Sequence, residues 1–169
     1  MLIGRGQVVL SGMPLTTVQE SFEKLISLAI EREEEAYEFY TEAAKKAELT
    51  SSAKLLKELA KQEVKHKEKL MKALKGDVCD TFGCTMEELE RRDLNKYLLD
   101  IPLAPSATPQ ELLIIAMKRE EASFNFYKSL SELTGNASHR GVFETLAKEE
   151  NQHKDRLQEL YDKHFQPWM

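Results

Sequence analysis

Two stretches of the sequence decide the fold: LAKQEVKHKEKL at Leu59–Leu70 and LAKEENQHKDRL at Leu146–Leu157. Both begin with Leu-Ala, and both carry a Glu three residues before a His. Position 59 corresponds to position 146, an offset of 87 residues. Because residues three apart lie on one face of a helix, the repeat predicts two helices that present the same pair of polar groups.

The same offset relates residues outside these two stretches. Glu33 corresponds to Glu120, and Tyr40 corresponds to Tyr127. Each half of the chain therefore holds a two-helix unit with the same chemistry. Two repeats are too few to stack as a solenoid, so we expect an all-α fold: a four-helix bundle built from two helical hairpins.

Apolar residues recur at helical spacing in four segments, and no segment shows the sustained alternation of a strand. We expect the first helix to run from Thr17 to Leu49, with Thr17 and Glu20 as a capping box. The second should follow the Leu49–Ser52 break and end at Lys75, before Gly76. The other two predicted helices are 108–134, opened by Thr108, Pro109 and Glu111 and stopped by Gly135, and 138–165.

The pattern predicts one domain over residues 15–169, preceded by a flexible N-terminal arm over residues 1–14. A connection from Gly76 to Ala107 separates the two hairpins and contains a predicted short helix over residues 85–99. About thirty residues are enough to cross the full length of a bundle.

Composition limits the classes of partner. The chain has 169 residues, is 41% hydrophobic and 31% charged, and carries a formal net charge of −5. Nucleic acids and anionic membranes require a basic face, so we expect neither as a partner. No apolar run approaches the roughly 20 residues of a transmembrane helix, and the N-terminus does not resemble a secretory signal.

Cysteine usage indicates a cytoplasmic location. Cys79 and Cys84 are too few for a disulfide framework, which is typical of a reducing compartment. Four residues separate them, a spacing that fits neither a zinc ribbon nor a thioredoxin motif. Unpaired loop thiols are the favoured interpretation, and a redox or metal role is the alternative.

The first predicted helix carries a run of glutamates, and only one of them falls on its apolar stripe. Glu33 lies four residues after Ala29 and seven before Tyr40, nearly two turns, so it should point toward the core. Glu120 likewise lies four residues after Ala116 and seven before Tyr127, so it should also point toward the core. We expect the remaining glutamates of the first run to face solvent, namely Glu31, Glu34, Glu35 and Glu38, and Glu121 to fall to the side of its helix.

Six ionisable side chains would then converge inside the bundle: Glu33, Glu63, His66, Glu120, Glu150 and His153. Buried carboxylates are costly unless they are paired or hold a metal, and the stripes contain no Lys or Arg. Two divalent cations would balance four carboxylates, and oxygen with imidazole ligands suits iron or manganese. The competing interpretation, polar groups that face outward, would suit a single Glu-x-x-His better than two copies at a constant offset.

The segments AIEREEEAYEFY and AMKREEASFNFY, together with the two opening stretches, resemble the two halves of a rubrerythrin-type, ferritin-like di-iron domain. The resemblance extends from about Thr17 to Phe165. It implies terminal carboxylate ligands at Glu33 and Glu120, bridging ligands at Glu63 and Glu150, and one imidazole per metal from His66 and His153. It also implies that Tyr40 and Tyr127 hydrogen-bond to ligand carboxylates; ordinary core aromatics are the alternative.

The sequence departs from the rubrerythrin pattern in two ways. Rubrerythrins usually carry an additional glutamate one turn after the third-helix ligand, where this chain has Ser123. Type members also contain a rubredoxin module with two Cys-x-x-Cys pairs, and the sequence contains no such pair. We therefore expect electrons to come from an external donor such as a rubredoxin-like protein.

The resemblance implies a cofactor of two iron ions per site, with manganese or zinc as alternatives. It also implies a redox enzyme that reduces hydrogen peroxide in defence against oxidative stress. Two other functions remain open at this point. One is a ferroxidase or iron-handling protein that uses O2, and the other is a non-catalytic metal-binding bundle. Related domains dimerise, so we expect a homodimer.

Overall fold

The computed structural model describes residues 15–47, 50–74, 94–98, 107–133 and 137–166. Its long helices are α1 (Leu15–Lys46), α2 (Thr50–Leu74), α3 (Pro109–Leu133) and α4 (Ala137–Phe165). A short 3-10 helix spans Leu94–Leu98. These ranges contain no strand, and the predicted all-α class is confirmed.

Two predicted helix starts are wrong by two or three residues. α1 begins at Leu15, so Thr17 lies within its first turn and is not the N-cap. α2 begins at Thr50, so residues 50–52 of the predicted Leu49–Ser52 break belong to this helix. Serine and threonine are tolerated in a first turn because its backbone N–H groups have no intrahelical acceptor, so their presence does not mark a boundary.

The predicted capping box of α3 is confirmed. Thr108 Oγ1 accepts a hydrogen bond from the Glu111 backbone N–H at 3.2 Å, and Glu111 Oε2 accepts one from the Thr108 N–H at 2.7 Å. Pro109 is the first helical residue, where its missing N–H costs nothing. These reciprocal bonds fix the start of the helix that carries Glu120.

α1 packs along α2, and α3 packs along α4. Only three residues separate Lys46 from Thr50 and Leu133 from Ala137, so each packed pair is an antiparallel hairpin. Equivalent ion pairs join the helices of each hairpin at the surface, Lys67 with Glu34 and Lys154 with Glu121. The two-hairpin organisation predicted from the repeat is therefore observed.

Two apolar clusters show how the hairpins are arranged. One cluster contains Ile26 near the start of α1, Leu70 near the end of α2, Leu130 near the end of α3 and Phe143 near the start of α4. The ends of α2 and α3 therefore lie at the same end of the bundle, and these two helices run parallel. A chain that leaves α2 must return along the bundle to begin α3, as the predicted crossover requires.

The second cluster fills the opposite end of the bundle and includes Phe39, Leu59, Leu113 and Leu157. Along every helix, the polar residues of the repeat lie between the residues of the two clusters. A buried polar layer, formed by the glutamates and histidines of the repeat, thus separates the two apolar clusters. Burial of apolar surface on both sides of this layer stabilises the bundle.

Several predictions lie outside the described residues. These are the N-terminal arm over residues 1–14, the stops at Gly76 and Gly135, and the loop that contains Cys79 and Cys84. Of the short helix predicted over residues 85–99, the described part is the 3-10 helix, which packs against α3 and α1.

Candidate metal centre

The six ionisable side chains of the repeat lie inside the bundle, each no more than 3% exposed. They are Glu33, Glu63, His66, Glu120, Glu150 and His153. The interpretation in which these groups face outward is therefore wrong. Conversely, Glu31, Glu34 and Glu38 are exposed, as the helical stripe predicts, and Glu35 is half-buried. Glu121, expected at the side of its helix, is exposed.

The six side chains form two overlapping groups. Glu33, His66, Glu63 and Glu150 can each place one ligand atom within 4.8 Å of the others. The same is true of a second group, in which Glu120 and His153 join Glu63 and Glu150. Glu63 and Glu150 belong to both groups, so their carboxylates lie between two neighbouring positions for a cation.

The two imidazole rings face this layer in the same way. His66 Nδ1 lies 3.2 Å from Glu63 Oε2 and 3.1 Å from Glu150 Oε1. His153 Nδ1 lies 3.2 Å from Glu63 Oε1 and 3.3 Å from Glu150 Oε2. The rings stack with centroids 5.4 Å apart and planes 10° from parallel, so each position has one Nδ1 atom beside it.

The opposite nitrogens of the rings are held by two side chains that the sequence analysis missed. His66 Nε2–H donates to Glu149 Oε2 at 2.9 Å, and His153 Nε2–H donates to Gln62 Oε1. Each bond fixes the ring orientation and leaves Nδ1 directed at the carboxylates. The offset of 87 relates Gln62 to Glu149, and this was the signal that could have found them.

Two tyrosines hold the outer carboxylates across the hairpins. The Tyr40 hydroxyl donates to Glu120 Oε1, and the Tyr127 hydroxyl donates to Glu33 Oε1. Both rings are buried. Burial and the adjacent carboxylate raise the pKa of each tyrosine well above its usual value, so both remain donors at neutral pH.

A pair of atoms without hydrogen-bond partners shows that the site fits a cation. Glu63 Oε1 and His153 Nδ1 are both buried and lack a partner, although they lie only 3.2 Å apart. Unsatisfied buried polar atoms are rare in native proteins. Moreover, no Lys or Arg of the described ranges is among the buried residues. A metal ion between these atoms would satisfy both.

Without a cation, protons on the ligand residues offset the carboxylate charge of the layer. Burial and the charge of Glu63 raise the pKa of Glu33 to about 8, and burial and Glu120 raise that of Glu150. Burial opposes charge on Glu63 also, but the adjacent imidazoles lower its pKa. Burial likewise opposes charge on His153, yet the surrounding carboxylates raise its pKa to about 12. Protons thus occupy ligand atoms that a divalent cation would take.

A cavity of about 30 Å³ reaches the layer between α1 and α3. Glu33, Glu63, Glu120 and Glu150 line it, and neither histidine does, so the open face of the site is its carboxylate face. Ala36 and Ser123, which the repeat makes equivalent, leave the space beside these carboxylates. Because about 10–15 Å³ of such volume holds one water molecule, the cavity has room for a molecule of about two non-hydrogen atoms. The remaining lining residues are Arg32, Tyr40, Tyr97, Arg119 and Ala122.

None of the helices in the described ranges has the length and apolar character needed to cross a membrane.

The fold and the site together define the class. Two antiparallel hairpins, joined by a connection long enough to cross the bundle, carry one Glu on each of two helices and Glu-x-x-His on each of the other two. This is the ferritin-like arrangement. The rubrerythrin family model matches residues 24–161, and the chain belongs to the rubrerythrin family. Its buried carboxylate and histidine cluster is compatible with a di-iron protein.

A solved structure supports the fold. A hypothetical protein from Pyrococcus furiosus superposes with a TM-score of 0.67 at 24% sequence identity. The match covers 94% of this chain and 99% of that protein. A search of curated proteins found no significant match.

Proposed function

We propose that this chain is a di-iron protein that reduces hydrogen peroxide to water with electrons from an external donor. One observation carries the proposal: two groups of three carboxylates and one imidazole share Glu63 and Glu150 in the buried layer. Two adjacent metals held by shared carboxylates suit a two-electron reaction. The metal ligands in this proposal are Glu33, Glu63, His66, Glu120, Glu150 and His153.

The charge of the layer favours two divalent ions. Four carboxylates balance two such ions, and two neutral imidazoles complete the set without further charge. Iron is the metal that the rubrerythrin family implies, and manganese or zinc would accept the same ligands. Iron, when bound, supplies the two electrons that peroxide reduction consumes: H2O2 + 2 H⁺ + 2 e⁻ gives two H2O.

The side chains of this chain determine which molecule reaches the layer and how the ligands are held. The cavity between α1 and α3 admits a molecule of the size of peroxide to the carboxylate face. Tyr40 and Tyr127 hold Glu120 and Glu33, while Gln62 and Glu149 hold the histidines. The apolar clusters on both sides limit the access of bulk water.

Anaerobic loading with ferrous iron, followed by stopped-flow mixing with hydrogen peroxide or O2, tests the proposal. We expect two irons per chain, faster oxidation by peroxide than by O2, and re-reduction of the oxidised protein by a rubredoxin-like donor. Faster oxidation by O2 with continued turnover of added iron would contradict it and indicate a ferroxidase. A redox-inactive native metal would leave a structural metal-binding bundle.

A matched pair of variants assigns the reaction to the site. Glu63→Gln removes a shared carboxylate, whereas Glu68→Gln changes an exposed glutamate of the same helix. Peroxide-driven oxidation should disappear in the first variant and persist in the second. The proposal includes a cytoplasmic homodimer, and light scattering of the purified chain should give twice its 19.4 kDa mass.

A further inference from the structure

The outer groove of the first hairpin, where α1 and α2 meet at the surface, carries an apolar patch. The described ranges contain four exposed large apolar side chains, and three of them lie on this hairpin. They are Tyr37 on α1, 43% exposed, and Val64 and Met71 on α2, 41% and 45% exposed. The fourth, Phe165, is the last residue of α4. Single exposed apolar side chains are ordinary, whereas a contiguous patch marks a binding surface.

An ion pair shows that the three side chains of the patch are neighbours. Lys67 of α2 contacts Glu34 of α1, so these two residues lie opposite each other in the antiparallel hairpin. Val64 precedes Lys67 by three residues and Met71 follows it by four, so both lie on the same face of α2 as Lys67. Tyr37 follows Glu34 by three residues and therefore lies at the level of Val64. The patch thus extends along the groove on both sides of the ion pair.

The second hairpin repeats the ion pair and lacks the apolar side chains on α4. Lys154 and Glu121 form the equivalent pair. With the offset of 87, the residues equivalent to Val64 and Met71 are Asn151 and Gln158, and both amides are exposed. Equivalent solvent-facing positions are therefore polar on α4 and apolar on α2. Packing inside the bundle does not explain this difference, because the side chains point away from the core.

Charged rows of opposite sign flank the groove. Glu31 and Glu38 are exposed on α1. The exposed face of α2 carries five lysines and one glutamate, a net charge of +4: Lys54, Lys57, Lys61, Lys65, Lys72 and Glu68. Within the described part of the chain, none of these five lysines forms an ion pair. A face that has one acidic and one basic row can complement an identical face on a second molecule.

We propose that the outer groove of the first hairpin is the interface through which two copies of this chain associate. A two-fold axis along the groove places α1 of each copy against α2 of the other. The acidic row of one copy then faces the basic row of its partner, and the apolar patches of both copies are buried together. The occupant of the groove is thus a second copy of the same hairpin.

The size of this face fits such an interface. α2 has 25 residues, so it is about 37 Å long, and two helices side by side are about 20 Å wide. The face therefore measures about 700 Å². Each partner in an interface of standard size buries roughly 800 Å². The first hairpin alone provides nearly all of the required area.

The inference rests on the homodimer included in the proposed function, and it does not depend on the metal. The cavity that reaches the carboxylate layer lies between α1 and α3, and its described lining includes no residue of the patch. The groove lies on the side of α1 that faces α2. Two copies joined at the groove therefore leave the cavity of each copy accessible.

Light scattering after size-exclusion chromatography, over a range of concentrations, measures the dissociation constant of the dimer. Val64→Asn combined with Met71→Gln introduces the side chains that the second hairpin has at these positions. We expect this double variant to raise the dissociation constant about a hundredfold or more, because each substitution removes apolar area from both copies. Phe165→Gln is the matched control, since it replaces an exposed apolar side chain outside the groove, and it should leave the constant unchanged.

A charge reversal tests the basic row without a change to the patch. Lys61→Glu should raise the dissociation constant about tenfold at low salt and less at high salt. Lys148→Glu is the equivalent change on α4 and should have no such effect. Both lysines are exposed, so both variants should fold, and circular dichroism checks that they do.

The outcomes separate this inference from the proposed function. A wild-type dimer that persists unchanged in the double variant and in Lys61→Glu would overturn the inference and leave the homodimer in place. A wild-type chain that is monomeric at every concentration would overturn both the inference and the homodimer. Failure of a dimeric wild-type chain to bind two metal ions would overturn the di-iron proposal alone, because the groove contains none of the proposed ligands.

Discussion

Gln62 and Glu149 occupy equivalent positions in the two hairpins, and each accepts a hydrogen bond from the outer ring nitrogen of the histidine on the opposite hairpin. The equivalence is geometric but not chemical. Glu149 is a carboxylate that also pairs with Lys69 at 2.8 Å, whereas Gln62 is a neutral amide. A carboxylate that accepts a hydrogen bond from a ligating imidazole makes the imidazole a stronger electron donor to the metal than an amide acceptor does. The cation position beside His66 should therefore bind a metal more tightly than the position beside His153.

Glu149→Gln should remove this difference between the two positions. We expect wild-type protein to take up Co²⁺ in two steps of different affinity. The substitution should weaken the tighter step by about tenfold, the lower end of the usual effect of such partners. Isothermal titration calorimetry measures both steps. Gln62→Glu is the reciprocal variant and should strengthen the weaker binding step. If neither variant changes either affinity, the hydrogen-bond partners of the histidines do not determine metal affinity.

Tyr127→Phe should weaken metal binding and destabilise the fold. The variant removes the hydroxyl that bonds to Glu33 and leaves a buried carboxylate oxygen without its donor, at a cost of about 1–3 kcal/mol. Urea denaturation of the metal-free protein measures this loss, and a Co²⁺ titration measures the change in affinity. Tyr37→Phe is the control, because Tyr37 is 43% exposed, and it should change neither quantity by a comparable amount.

The stability of the metal-free protein should fall as pH rises from 4.5 toward 8. Burial raises the pKa of Glu33 from 4.5 to about 8, so in this window the folded chain binds more protons than the unfolded chain. The raised pKa of His153, about 12 instead of 6.5, acts in the same direction above pH 6.5. The lowered pKa of Glu63 changes the stability with pH only below about pH 4.5, which is outside this window.

Urea unfolding at several pH values measures this dependence, and Glu33→Gln should flatten it. Metal should reverse the trend, because a cation replaces the bound protons and its affinity therefore rises with pH. A metal-free protein that becomes more stable from pH 5 to 8 would show that these carboxylates are not packed as described.

Glu63→Gln and Glu33→Gln should differ in the number of metals lost. Glu63 belongs to both ligand groups, whereas Glu33 belongs only to the group that contains His66. We therefore expect Glu63→Gln to weaken both positions and Glu33→Gln to weaken one. Metal analysis after equilibrium dialysis gives the number of ions per chain. Equal losses in the two variants would remove the bridging role from Glu63.

The sequence predicted the parts of this structure that depend on helix periodicity. Glu33 and Glu120 lie inward because seven residues separate each from a stripe tyrosine, and the two Glu-x-x-His pairs lie inward with their leucines. The chain direction of α3 relative to α2 followed from the length of the connection between them. Such features are set along one helix or by the number of residues between two helices.

Contacts between helices were less accessible from the sequence. Gln62 lies at the flank of the α2 stripe, and only the packing of α4 brings His153 against it. The shared pairing of Glu35 with Arg32 and Arg119 likewise depends on the approach of α3 to α1. The start of α1 at Leu15 was missed because Thr17 and Glu20 form a cap-like pattern, although both lie inside the helix.

Anomalous diffraction from crystals loaded with iron or manganese tests the central claim most directly. The account predicts two peaks in the layer between the apolar clusters, one beside Nδ1 of His66 and one beside Nδ1 of His153, with the carboxylates of Glu63 and Glu150 in contact with both. A single peak, or metal bound only outside this layer, would contradict it.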